Sequence, residues 1–284
     1  MSSSLDCAVQ VAPRKPRPAL LASLLAISLA LPVWAYAQTP NTSYEPDVGQ
    51  EGKDVIWVPT PQTMVEKMLD IAEVTPQDTL LDLGSGDGRT VITAAQRGLK
   101  AQGIEYNPDM AELARRNAAK AGVSDRATFS TADLFESDLS QASVITMFLL
   151  PTINETLRPK ILELKPGTRI VSNSFRMGDW QPDQTAVVTD NCTNYCTALL
   201  WVVPAKAAGT WRSGNQELVL SQAFQALEGK LGAAPISEAK LVGDSISFSV
   251  GGARYEGKVD GNTIKGRVKH SESAPPEDWQ ATRA

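Results

Sequence analysis

Residues 79–89 read Thr79-Leu80-Leu81-Asp82-Leu83-Gly84-Ser85-Gly86-Asp87-Gly88-Arg89, an apolar run that stops at a glycine-rich turn. Leu80, Leu81 and Leu83 suit a buried parallel strand, while Gly84, Gly86 and Gly88 permit positive φ and let a ligand approach the backbone closely. Val91, Ile92 and Ala95 then mark one side of a helix. A strand, a glycine turn and a helix in this order make a seat for a nucleotide-like ligand at the edge of an open α/β sheet.

The spacing of the glycines narrows the ligand. A dinucleotide turn reads G-x-G-x-x-G, with its third glycine packing helix on strand. Here that third place is Arg89, and the glycines fall as Gly84-x-Gly86-x-Gly88. With Asp82 before it, the turn resembles motif I of the class I S-adenosylmethionine-dependent methyltransferases, where a methionine moiety lies against the glycines. The next segments extend the resemblance in the right order. Residues 100–106 form a second short strand with Glu105 at its tip, and in that family an acid there accepts both ribose hydroxyls. A third strand, 127–132, ends at Asp133-Leu134, where the family's acid takes the adenine amino group and the next residue offers its backbone to the ring.

Residues 142–149 should form the fourth strand, beside the departing methyl. The sequence there is Phe148-Leu149-Leu150-Pro151, an apolar rim. It lacks both the Asp/Asn-Pro-Pro-aromatic tetrad of adenine amine methylation and the Pro-Cys nucleophile of cytosine C5 methylation. Thr152-x-x-Glu155 reads as a capping box, and a helix then runs to Lys165-Pro166-Gly167, followed by a fifth strand at 168–175 and Trp180. Together these motifs resemble the small seven-strand lysine methyltransferases of mitochondrial carrier and ATP-synthase subunits and their prokaryotic relatives, over about residues 55–204. The resemblance implies S-adenosylmethionine as cofactor, held by Asp82, Gly84, Ser85, Gly86, Gly88, Glu105, Asp133, Leu134 and Phe148, and methyl transfer to a protein lysine or a small exported nucleophile. No catalytic side chain is assigned. The only histidine, His270, lies far along the chain, and Asn173 or Ser174 is either an orienting group or a satisfied strand-end residue.

The fold class that follows is α/β, a Rossmann-like seven-strand methyltransferase sheet, with strands six and seven at 185–189 and 197–203. A helix before strand one should be capped by Thr60 with Pro61 in its first turn and Met64, Met68 and Ile71 buried; Trp57 beside it either touches the ligand or packs in the core. Asn107 followed by Pro108 opens the helix after strand two. Beyond Pro204, alternation at Ile246, Phe248 and Val250, again at Tyr255, Gly257 and Val259, and at Ile264, Gly266 and Val268 reads as an antiparallel meander. With further strands in 211–231, residues 205–270 make a small C-terminal β domain, and the charged 271–284 a disordered tail.

The beginning of the chain is of another kind. Arg14, Lys15 and Arg17 precede an apolar run at 19–31, and Ala35-Tyr36-Ala37 offers a small-x-small cleavage site, so residues 1–37 read as a secretory signal peptide and 38–54 as a linker. An uncleaved anchor or an ordinary N-terminal helix are the other readings. Export implies a periplasmic or membrane-tethered enzyme, with transient membrane association through this segment. Cys192 and Cys196 flank Thr-Asn-Tyr, where Asn194 can turn the chain, leaving either a disulfide or two free thiols; without nearby histidines they make no metal site. The net charge is −5, or −7 without residues 1–37, and no basic run interleaves with aromatics, which disfavours nucleic acid as the acceptor. Two other functions fit the turn less well: a non-catalytic S-adenosylmethionine-binding module and a dinucleotide-dependent oxidoreductase.

Overall fold

The computed structural model describes residues 44–284. The signal-peptide reading of 1–37 and the membrane association drawn from it lie outside the described residues. Among those described, no helix is long and apolar enough to cross a membrane.

The first half alternates helix and strand: α1 (Gln62–Ile71), β1 (Thr79–Leu83), α2 (Arg89–Gln96), β2 (Lys100–Glu105), α3 (Pro108–Lys120), β3 (Ala127–Thr131), β4 (Val144–Met147), α4 (Pro151–Ile161), β5 (Arg169–Asn173), β6 (Gln184–Val187) and β7 (Thr197–Val202). The seven strands form one sheet in the order β3-β2-β1-β4-β5-β7-β6, parallel except for β7, which runs antiparallel to both β5 and β6. This is the seven-strand methyltransferase sheet. Its two faces are covered separately: Leu80, Val144 and Val171 pack under α1, α2 and α3, while Leu83, Ile145 and Ile170 pack against α4 and the Trp180–Trp201 pair. Burial on both faces is why the parallel strands read as apolar runs and not as alternation.

Two helix starts differ from expectation. Pro61, not Thr60, caps α1, because Pro61 keeps an extended ψ of 143° and its carbonyl accepts from the Met64 and Val65 N–H groups. Thr152-x-x-Glu155 is not a capping box: α4 starts at Pro151 with Leu150 as its cap and no side-chain bond there. Asn107 does cap α3, its Oδ1 accepting from the Asp109 N–H at 2.9 Å.

The second half is larger than the sequence promised. β8 (Gly209–Ser213), β9 (Gln216–Ala223), β10 (Ala226–Leu231), β11 (Ala234–Pro235), β12 (Ser237–Val242), β13 (Ser245–Val250), β14 (Ala253–Asp260), β15 (Thr263–Lys269) and β16 (Glu277–Arg283) make a nine-stranded antiparallel sheet. The order is β11-β10-β9-β8-β16-β15-β14-β13-β12, and the Ile236 N–H donates to the Gly229 carbonyl at 3.0 Å, curling the two ends toward a barrel. Its core is aromatic: the rings of Phe248 and Tyr255 stack at 4.9 Å, with Trp279 edge-on to both. Residues 271–284 are therefore not a disordered tail. Trp279 and Ala281 are buried, and β16 is hydrogen-bonded between β8 and β15.

The two halves pack through the β9–β10 turn. Phe224 stacks on Trp180 at 5.7 Å, the Trp180 indole N–H donates to Gln225 Oε1 at 2.8 Å, and the Arg158 guanidinium lies over the Phe224 ring.

Candidate active site

A cleft of about 1100 Å³, counting its open mouth, lies at the C-terminal ends of β1, β2 and β4 beneath residues 50–60. Asp82, one residue before the end of β1, is buried in its floor and accepts a hydrogen bond from Thr146 Oγ1 of β4 at 2.6 Å. Burial pushes its carboxyl up to about 7; the Thr146 bond works against this, and the Glu105 and Asp87 charges add to it.

The glycine turn is bound tightly to β2. The Gly84 and Ser85 N–H groups both donate to the Ile104 carbonyl, at 2.9 and 3.0 Å, and the Gly86 N–H donates to Glu105 Oε2 at 2.8 Å. The other Glu105 oxygen accepts from the Asn107 N–H at 3.0 Å, so two backbone donors fix the carboxylate at the tip of its strand. Gly86 has φ +52°, and a Cβ there would come within 2.7 Å of the Trp57 indole nitrogen. Trp57 thus lies on the turn itself, half-buried, and lines the cleft. Ser85 Oγ is buried without a hydrogen-bond partner.

Asp133 and Leu134 stand at the β3 side of the cleft and Phe148 at the β4 side. The Asp133 carboxylate accepts from the Phe135 N–H at 2.9 Å and from Lys53 Nζ at 2.6 Å; the Lys53 bond is the main reason it sits below the usual carboxylate range. Lys53 Nζ also lies 4.7 Å above the Tyr106 ring. Of the nine expected binding residues, eight line the cleft. Gly88 does not: it caps α2 at φ +84°, and its missing side chain makes room for Phe129 and Ala114, which is helix packing.

Sequence reasoning missed several participants. Arg89 clamps Asp87 with two bonds and donates to the Thr60 carbonyl at 2.8 Å, tying the turn to the segment above the cleft. Gly103, inside β2, would drive a Cβ into Ser85; a glycine within a strand is a signal of such close approach. Lys53 fell in the presumed linker, whose residues 49–54 instead fold with 55–57 over the cleft as a tight loop: the Gly49 N–H donates to the Trp57 carbonyl and the Trp57 N–H to the Gln50 carbonyl. Cys192 and Cys196 are joined in a disulfide with a Cα–Cα distance of 5.8 Å, and the left-handed residues there are Asn191 and Tyr195, not Asn194.

Residues 82–184 match the ANTKMT methyltransferase domain family. The chain is 45% identical over 152 residues to a protein-lysine N-methyltransferase of Saccharolobus islandicus, covering 52% of this chain and 94% of that relative. It is 39% identical to the mouse adenine nucleotide translocase lysine N-methyltransferase, spanning 42% of this chain and about half of that protein. Among solved structures, one titled an RNA methyltransferase from Salinibacter ruber, in complex with S-adenosyl-L-homocysteine, shares 46% identity, a TM-score of 0.50, and coverage of 52% of this chain and 95% of that one.

A seven-strand sheet with an acidic, glycine-turned cleft at its C-terminal edge defines an S-adenosylmethionine-dependent methyltransferase. The chain belongs to the protein-lysine N-methyltransferase family of that class.

Proposed function

We propose that the protein methylates the ε-amine of lysine in an acceptor protein, with S-adenosylmethionine bound by Asp82, the 84–86 turn, Glu105, Asp133, Leu134 and Phe148. The observation that carries this is the fixed Glu105 carboxylate, facing the same cleft as Asp82 and Asp133. Such a cleft fits the cofactor: the acids Asp82, Glu105 and Asp133 lie on the β1, β2 and β3 side, while Met147, Phe148 and Leu149 make the β4 side apolar.

The sulfonium, when bound, supplies an already activated methyl group. What remains for the protein is positioning and desolvation. Glu105, held by two backbone donors, would accept the ribose hydroxyls with its remaining lone pairs, and Asp133, shared with Lys53, would accept the adenine amino group. Next to the glycine turn, the aliphatic side chains of Met147 and Leu149 desolvate an entering lysine, so it gives up its proton to water there and presents its lone pair. No histidine is required for this.

An acidic chain with net charge −5 supports a protein acceptor over RNA. Incubating the purified protein with methyl-labelled cofactor and a cell extract tests the reading. The expected label is resistant to ribonuclease, removed by protease, and found on lysine by mass spectrometry. Label that ribonuclease removes would overturn the lysine assignment in favour of RNA.

Export is part of the proposal. It is supported by the charged and apolar pattern of residues 1–37 and by the Cys192–Cys196 disulfide, a bond that persists in oxidising compartments.

A further inference from the structure

Three aromatic rings meet beside the cleft, on the side away from Glu105 and Asp133. Phe148 follows β4, Phe175 follows β5, and Tyr195 precedes β7; because β7 is antiparallel to β5, all three stand at the same end of the sheet. The Phe148 and Phe175 rings lie 5.8 Å apart and nearly parallel, with Tyr195 5.1 Å from the first and 5.6 Å from the second. Phe148 lines the cleft, so the cluster continues its wall outward. Core packing does not explain it, since Tyr195 is 44% exposed.

The backbone around these rings is unusual. Six described non-glycine residues have left-handed φ, and three of them flank the cluster: Ser174 at +61°, Asn191 at +53° and Tyr195 at +58°. A bulky side chain keeps such a conformation only where its surroundings impose it. Here the Cys192–Cys196 disulfide closes the loop across Tyr195, and the Ser174 N–H donates to the Thr197 carbonyl at 2.7 Å, tying the loop exit to the end of β5. Next to them Asn173 is fully buried with its Nδ2 unpartnered.

We propose that Tyr195, held by the Cys192–Cys196 loop against Phe148 and Phe175, is a specificity-determining wall for the acceptor, and that it recognises the lysine ammonium and its N-methylated forms through cation–π attraction. This rests on the lysine reading above. Each methyl removes an N–H donor, so polar partners lose their hold on the product, whereas ring faces keep theirs on a quaternary ammonium. Of the three rings Tyr195 is the exposed one, so its face is the one that an entering ammonium meets.

Calorimetry separates this proposal from the cofactor reading. Adenosylhomocysteine is titrated first, then Nα-acetyl-Nε-trimethyllysine amide into that complex, for the full chain and for Tyr195→Phe, Tyr195→Ala and a Cys192→Ser/Cys196→Ser double variant. Expected is saturable ammonium binding by the parent and Tyr195→Phe, weakened tenfold or more in Tyr195→Ala and the double variant, with adenosylhomocysteine affinity unchanged throughout. Equal ammonium binding by Tyr195→Ala, or none by a parent that binds adenosylhomocysteine, overturns the wall. Full binding by the double variant overturns the role of the loop. A parent that fails to take adenosylhomocysteine overturns the cofactor site instead.

Discussion

Asp82 carries the strongest electrostatic consequence of any single residue in the fold. Its folded-state carboxyl is raised to about 7 against an ordinary 3.8, so the native state binds this proton more tightly than the unfolded chain does. The stabilisation is complete below about pH 4 and is lost as pH rises to about 7, a swing on the order of 4 kcal/mol. Melting temperature of the ligand-free protein from pH 4 to 8 should therefore fall more steeply for the parent than for Asp82→Asn; parallel profiles would contradict the buried charge. Glu105→Gln tests the other acid. Losing a charged acceptor costs about 1.5–3 kcal/mol per bond, so the cofactor dissociation constant should rise by at least about tenfold in calorimetric titration, and an unchanged constant would remove Glu105 from the site. Both acids were legible in the sequence because Asp82 interrupts the apolar run of β1 just before the glycine turn and Glu105 closes the next strand, the order in which the methyltransferase motifs fall. Thr146 was not: one hydroxyl in a buried strand leaves no mark on a hydropathy pattern.

Among the elements, the glycine turn and the segment above it act together. At Gly86 an added Cβ meets Trp57 at 2.7 Å, whereas at Gly122, also left-handed at φ +71°, it meets nothing within 4 Å. Gly122→Ala thus reports the backbone cost alone, about 1–2 kcal/mol. Gly86→Ala should cost more in chemical denaturation and also weaken the cofactor; equal losses at both positions would mean that Trp57 simply moves aside. The parallel strands and their turn were readable since burial on both faces leaves continuous apolar runs. The loop of residues 49–57 was not, because backbone bonds such as Gly49 to Trp57 hold it, and these depend on geometry and not on side-chain type.

At the scale of the whole molecule, Trp180 joins the two sheets, with Trp201 tilted against it at 6.2 Å and Phe224 stacked on it at 5.7 Å. Truncation after Pro204 would bare that face, so a protein ending there should melt well below the full chain in scanning calorimetry; an unchanged midpoint would make the second sheet a passenger. Phe224→Ala should lower it in the same direction by less. Several strands of that sheet escaped sequence reading for a physical reason: β12, Ser-Glu-Ala-Lys-Leu-Val, buries only Leu241, and β16 only Trp279 and Ala281, so their apolar alternation is thin. The position of β16 has a temporal side. Of the nine strands it is the last to leave the ribosome, yet its neighbours β8 and β15 have no other partner on the sides it fills. The second sheet accordingly gains its continuous ladder from β8 to β15 only after synthesis has passed residue 283, and until then the facing edges of β8 and β15 are unpaired.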